Sequence, residues 1–143
     1  MHQKAKEFDI TSDPRAEDIS ILDLGLHAAY GDAYQPYQEK QIAIFKRDEK
    51  DNVVAGLFGK HYWGWLYVDM LWVARDQRKD GLGSRLVQEA EALARELGLI
   101  GIYLWAQEGQ AGGFYLKLGF EPFVDIPDFP PGHKRIGFIK RLK

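Results

Sequence analysis

The sequence predicts an α/β fold whose centre is a β-α-β unit, and three stretches carry the prediction. Residues 63–73 form an apolar run that ends at Val73. Residues 82–97 then place Leu82, Leu86, Val87, Ala90, Leu93, Ala94 and Leu97 on one stripe at helical spacing. Residues 99–105 are almost continuously apolar, which suits a strand buried on both faces and parallel to its neighbour. Antiparallel strands are expected before and after this unit.

Composition sets the outer limits. A chain of 143 residues fits one domain, taken here as residues 1–143, and is long enough to bury a sizeable core. Its 45 % hydrophobic and 28 % charged residues are those of an ordinary globular protein. A net charge of -2 argues against a dedicated nucleic-acid binder. With no cysteine, disulfides, thiolate catalysis and thiolate metal sites are ruled out, and no metal is expected. Neither a secretory leader nor a run of about 18 apolar residues occurs, so the expectation is a cytoplasmic protein with no membrane partner.

In chain order, Phe8 and Ile10 alternate within a polar start and predict a frayed edge strand. Ser12, Asp13 and Pro14 predict a helix start, continued by Ile19, Leu22, Leu26 and Tyr30 and stopped near Gly31. Tyr34, Pro36 and Tyr37 follow in a short loop. Residues 41–46 and 53–61, joined by a turn rich in Asp, Glu, Lys and Asn, predict a hairpin. A third strand over 63–73 follows directly, with Gly64 at its bend. A polar turn separates Val73 from the helix, which Gly98 ends. Beyond Trp105 a loop leads to a short helix at 110–118, closed by Gly119. That helix carries Gly112 and Gly113, each about 1 kcal/mol less favourable than Ala, which points to a close approach to its backbone. Residues 120–124 and 134–142 predict a last antiparallel pair, joined by Phe129-Pro130-Pro131-Gly132-His133.

The chemistry concentrates where the long helix begins, at Arg78-Lys79-Asp80-Gly81-Leu82-Gly83-Ser84. Gly81 and Gly83 let the backbone come close to a ligand, and the first N–H groups of a helix point outward unpaired. Their partial positive charge favours a phosphate, and Arg78 and Lys79 add full charges. A dinucleotide-binding fingerprint would need a small residue where Leu86 stands. A nucleotide-hydrolysing loop would need Gly-Lys-Ser or Gly-Lys-Thr where the chain reads Gly83-Ser84-Arg85. Both readings fail.

Arg78-x-x-Gly81-x-Gly83 behind an apolar strand, followed by Phe114-Tyr115-Leu116-Lys117-Leu118-Gly119-Phe120, resembles the GNAT superfamily of acetyl-CoA-dependent N-acetyltransferases. The resemblance covers residues 40–142 well and the first 39 loosely. It is closest to small bacterial members with a Pro-Gly-His turn, matched by Pro131-Gly132-His133. It implies a mixed, mostly antiparallel sheet of about seven strands with helices on both faces. It also implies acetyl-CoA as acetyl donor. The pyrophosphate would rest on the N–H groups of Lys79, Asp80, Gly81, Leu82, Gly83 and Ser84, with Arg78 alongside. Leu71, Trp72 and Val73 would bond the pantetheine arm as an added strand does, with Ala111 and Tyr115 against the arm from the short helix.

Acetyl transfer to an amine needs a base for the ammonium proton, donors for an oxyanion and an acid for the leaving thiolate. The resemblance gives the acid to Tyr115, a phenol of ordinary pKa about 10, and the donors to the backbone of Leu71, Trp72 or Val73. The base is open. Asp69, expected to alternate with Tyr67 and Leu71 on one strand face, is a carboxylate in an apolar strand; a hydrogen bond to a loop explains it equally well. His61 and His133 are the alternatives. Glu108 stands where many family members carry asparagine and offers a carboxylate to a cationic amine.

The expected function is therefore transfer of an acetyl group from acetyl-CoA to a primary amine of a small molecule by direct attack. The alternatives are an acyl-CoA-binding sensor or interaction module, and a peptide or protein N-acetyltransferase. Tyr34, Tyr37, Trp63, Trp65, Tyr67 and Trp105 suggest an aromatic-lined acceptor pocket, although packing also explains them. The family resemblance also allows a homodimer.

Overall fold

Alternating apolar residues from Ile42 to Val73 build an antiparallel meander in the larger of two units into which the chain divides, residues 38–143 and 1–37. The structure, a computed structural model, describes residues 7–109 and 112–143. In the larger unit β1 (Lys40–Arg47), β2 (Val53–Tyr62), β3 (Trp65–Val73), β4 (Gly101–Gln107), β5 (Glu121–Pro127) and β6 (Lys134–Arg141) form one sheet in the order β1-β2-β3-β4-β6-β5. Only β3 and β4 are parallel, and every other neighbouring pair is antiparallel.

The described residues contain six strands rather than about seven. Residues 7–12 form no strand, since two apolar side chains in a polar stretch bury too little to offset the entropy of ordering it. Trp63, expected inside β3, instead makes the β2–β3 turn with Gly64, both at positive φ (50° and 86°). The polar turn after Val73 is wound into a 3-10 segment, Arg75–Asp80.

The crossover helix α2 is Leu82–Glu96, with Leu82, Leu86, Val87, Ala90 and Ala94 buried. They pack with Ala55 and Leu57 of β2, Leu66 and Val68 of β3, and Ile102 and Leu104 of β4. Each fully buried Leu, Ile or Val among them contributes about 1.5–3 kcal/mol, and each Ala less. Leu97, expected to close the stripe, is 49 % exposed, because the helix stops at Glu96 and the chain turns away at Gly98 (φ 72°). A short helix α3 (Gly112–Lys117) adds Tyr115 to the same core. Lys140 of β6 fastens these elements together, donating to Glu91 Oε2 on α2 at 2.9 Å and to the Leu118 carbonyl at 2.8 Å.

The smaller unit holds α1 (Ala16–Tyr30), which starts after rather than at Pro14, with Arg15 as N-cap. Glu17 and Asp18 complement the positive helix end, and Gly31 terminates the helix with its N–H on the Ala28 carbonyl. His27 packs on Tyr37 at 4.2 Å between ring centroids, and Tyr30 on Tyr34 at 5.2 Å. Among the described residues no helix is long and apolar enough to cross a membrane.

Candidate active site in the split between the central strands

β3 and β4 pair only from Trp65↔Gly101 to Val68↔Leu104, and beyond that point they part. A bulge in β3 falls at the same place. The β2–β3 register passes from Gly59↔Val68 to Phe58↔Met70, which leaves Asp69 unpaired. Gly59 makes this possible, since a Cβ there would collide with the Tyr67 carbonyl.

The bulge reverses the order of side chains along β3. Leu66 and Val68 before it, and Leu71 and Val73 after it, belong to the core beneath α2. Met70 and Trp72 turn out, 58 % and 52 % exposed. Tyr67 and Leu71 therefore lie on opposite faces, which corrects the simple alternation expected for Asp69. Asp69 itself is exposed at the bulge, and the loop hydrogen bond that would have made it structural is absent among the described residues.

The parting strands expose backbone. The Ala74 N–H donates to the Val54 carbonyl at 2.8 Å, so strand alternation turns the backbone groups of Leu71 and Val73 toward the edge that β4 has left. There the Val73 carbonyl accepts a hydrogen bond from Arg78 Nε at 2.9 Å, which fixes the guanidinium at the cleft. The floor is the N-terminus of α2. Its N-cap, Gly81, is left-handed (φ 65°), no side chain caps it, and its first turn holds no acid. The first helical bond runs from the Arg85 N–H to the Gly81 carbonyl, so the N–H groups of Leu82, Gly83 and Ser84 have no acceptor within the helix.

Leu71, Trp72, Val73, Arg78, Gly81, Gly83, Ser84 and Tyr115 thus line one cleft of about 680 Å³. Phe114, not expected as a site residue, completes its wall. Lys79 and Asp80 stand exposed on the 3-10 segment outside the lining, and the Leu82 side chain is core, so only its N–H faces the site. Ala111 lies outside the described residues. The Tyr115 ring packs against Phe114, Phe120 and Phe138 at 5.0, 5.6 and 5.5 Å. Burial pushes its phenol above the ordinary range, so the proton is held firmly.

The histidines separate. His61 pairs with Leu66, toward the end of β3 that stays joined to β4. His133 is at the end near the split, its Nδ1 4.0 Å from Glu108 Oε1. Glu108 is half-buried and largely committed: Oε1 accepts the Lys134 N–H at 2.9 Å, while its own N–H donates to the Lys134 carbonyl at 3.0 Å. The opposite face of the sheet carries an aromatic row in the larger unit. Tyr103 packs with Trp65 and Tyr67, and Trp105 with Phe123. Trp63, on the β2–β3 turn, packs on Tyr62 at 5.9 Å between ring centroids.

The split sheet thus exposes strand backbone above an uncapped helix end. Residues 11–120 match the model of the acetyltransferase (GNAT) family, and the chain belongs to that family, as an acetyl-CoA-dependent N-acetyltransferase. It is 45 % identical over 101 residues to blasticidin-S acetyltransferase of Streptomyces morookaense, covering 70 % of this chain and 74 % of that one. An acetyltransferase of Agrobacterium fabrum is 33 % identical over 104 residues, 73 % of this chain and 76 % of the relative. The crystal structure of an acetyltransferase from Bacillus cereus superposes with a TM-score of 0.82 at 29 % identity, over 94 % of this chain and 98 % of that one.

Proposed function

We propose that the chain acetylates a primary amine on a small molecule, with blasticidin S as the first acceptor to test, given the 45 % identity to the enzyme named for it. The observation that carries the reading is the bulge at Asp69, where β3 leaves β4 and turns the Leu71 and Val73 backbone toward the cleft. Acetyl-CoA supplies the acetyl thioester. The N–H groups of Leu82, Gly83 and Ser84, with Arg78, suit its pyrophosphate. The Leu71 and Val73 backbone suits its amide-bearing arm and offers N–H donors to a carbonyl oxygen that gains charge. Tyr115 lines the cleft with its proton retained, and gives that proton to the departing thiolate. Asp69, exposed and free of protein partners among the described residues, receives the amine's proton directly or through water.

We read both units as parts of one acetyltransferase domain, because the family match at 11–120 spans them. A homodimer in the cytoplasm completes the reading; sedimentation velocity and cell fractionation check it. The deciding experiment is release of free thiol from acetyl-CoA in the presence of blasticidin S, aminoglycosides, polyamines and amino acids, with calorimetric titration of acetyl-CoA. Amine-dependent release establishes the enzyme. Binding without release on any amine moves the chain to the sensor class, and no binding overturns the cleft assignment.

A further inference from the structure

The cofactor cleft is walled by α2 and α3, so an amine that does not displace the cofactor has to reach the split from the opposite face of the sheet. Trp105 is the first β4 residue beyond the last β3–β4 pair, and it faces that side, away from Leu104 and the core. Stacked on it is Arg135 of β6, which lies opposite Gln107 in the β4–β6 ladder. The Arg135 guanidinium carbon is 5.2 Å from the Trp105 ring centroid and 4.8 Å from that of Phe129.

Phe129 is held there by its loop. Gln107 Nε2 donates to the Phe129 carbonyl at 2.6 Å, and the Phe129 N–H donates to the His133 carbonyl at 3.0 Å. The Gly132 N–H donates to Asp128 Oδ1 at 3.3 Å, which closes the turn. The rings orient the guanidinium and strip part of its water, yet supply no acceptor. Among the described residues no carboxylate pairs with Arg135 and no side-chain hydrogen bond uses its five N–H groups. Glu108, next to Gln107 on β4, and Asp125, next to Ile126 on β5, are adjacent along the ladders, yet neither forms an ion pair with Arg135 among the described residues, and Glu108 Oε1 accepts the Lys134 N–H instead. A guanidinium fixed by aromatic contacts with its donors unused is a prepared fork for an oxyanion.

Resting on the acetyltransferase reading, we infer that Arg135 is a specificity residue that binds a carboxylate carried by the acceptor, so that the preferred acceptors hold an amine and a carboxylate in one molecule. The amine enters the split beside Asp69 while the carboxylate stays on Arg135. Charge-assisted bonds of this kind correspond to about 10- to 100-fold in affinity.

The test compares blasticidin S, which has a free amine and a carboxylate, with its methyl ester, which keeps the amine and loses the charge. Thiol release is followed for the wild type, R135K and R135Q, with the Tm of each recorded. The wild type is expected to prefer the acid by about 10- to 100-fold in kcat/KM, mostly through KM. R135Q is expected to bring the acid-to-ester ratio near one with the acetyl-CoA KM unmoved, and R135K, which keeps the charge but not the fork, to recover part of it. Equal use of acid and ester by the wild type, or an unchanged ratio in R135Q, overturns the inference and leaves the acetyltransferase intact. If no amine releases thiol, the enzyme reading fails, and titration of acid and ester into protein saturated with coenzyme A decides Arg135 by itself. Acid-selective binding lost in R135Q supports it; indifferent binding overturns it. A phosphate would fit the same fork, so stronger inhibition by phosphoethanolamine than by β-alanine would overturn the carboxylate.

Discussion

At the scale of single residues, Tyr115 shows how one side chain belongs to the core and to the cleft wall at once. Three aromatic neighbours bury its ring and hold its proton above the ordinary phenol range, while it also lines the cleft. Y115F should keep the fold and the acetyl-CoA dissociation constant while lowering kcat by about 100-fold, because only the leaving-group step loses its donor. Because the phenol pKa is raised, the alkaline limb assigned to Tyr115 in the wild-type rate profile should fall above pH 10. Steady-state kinetics beside calorimetry separate these effects, and an unchanged kcat removes Tyr115 from the mechanism. Gly83 gives the complementary case. A Cβ there would lie 3.4 Å from Phe114 Cζ, an acceptable contact, so G83A should still bind acetyl-CoA. A longer side chain would run into Phe114 and the cleft, so G83L should weaken binding at least about 100-fold, equivalent to about 2.8 kcal/mol, with a near-native Tm.

Between elements, the Glu91–Lys140 contact ties α2 to β6 and, through the Leu118 carbonyl, to the end of α3. Partial burial by itself raises the Glu91 carboxyl pKa, but the hydrogen bonds and charges of Lys140 and Arg95 outweigh it, and the net shift is downward. The stabilisation is therefore complete above the unfolded-state pKa of about 4.5 and disappears as pH falls through the lower folded value. E91Q should cost about 1–3 kcal/mol at pH 7, with the difference from wild type shrinking in acid below pH 4.5; urea titrations across pH measure it. Sequence reading could not find this pair, because Glu91 on α2 and Lys140 on β6 are 49 residues apart and only the packing of α2 on the finished sheet brings them together. Arg135 was hidden for the same reason: its ring partners come from β4 and from the 128–133 loop. The helix stripe, by contrast, is a local pattern, and five of its seven expected positions are buried while Leu93 is partly so.

Across the whole molecule, the succession of elements from β3 through the glycine turn and α2 to β4 was legible because it follows from short-range patterns: an apolar run, a glycine turn, an amphipathic helix. The opening of the sheet was not, since Val68, Asp69, Met70 and Leu71 read as uninterrupted strand and nothing in their types marks an extra residue. The bulge emerges only from pairing with Gly59, which has no side chain to obstruct it. Deletion of Asp69 tests its importance. It should leave a folded protein whose acetyl-CoA affinity falls by at least about 100-fold. Retention of wild-type affinity would show that the split does not depend on the bulge. Seen this way, Asp69 acts as a phase shift in a repeating wave. The two halves of β3 each keep a perfect period of two, but half a cycle apart, so no single register can satisfy both. A strand without that shift could stay zipped to β4 along its whole length, and the fold would keep its hydrophobic core while losing its reason to open.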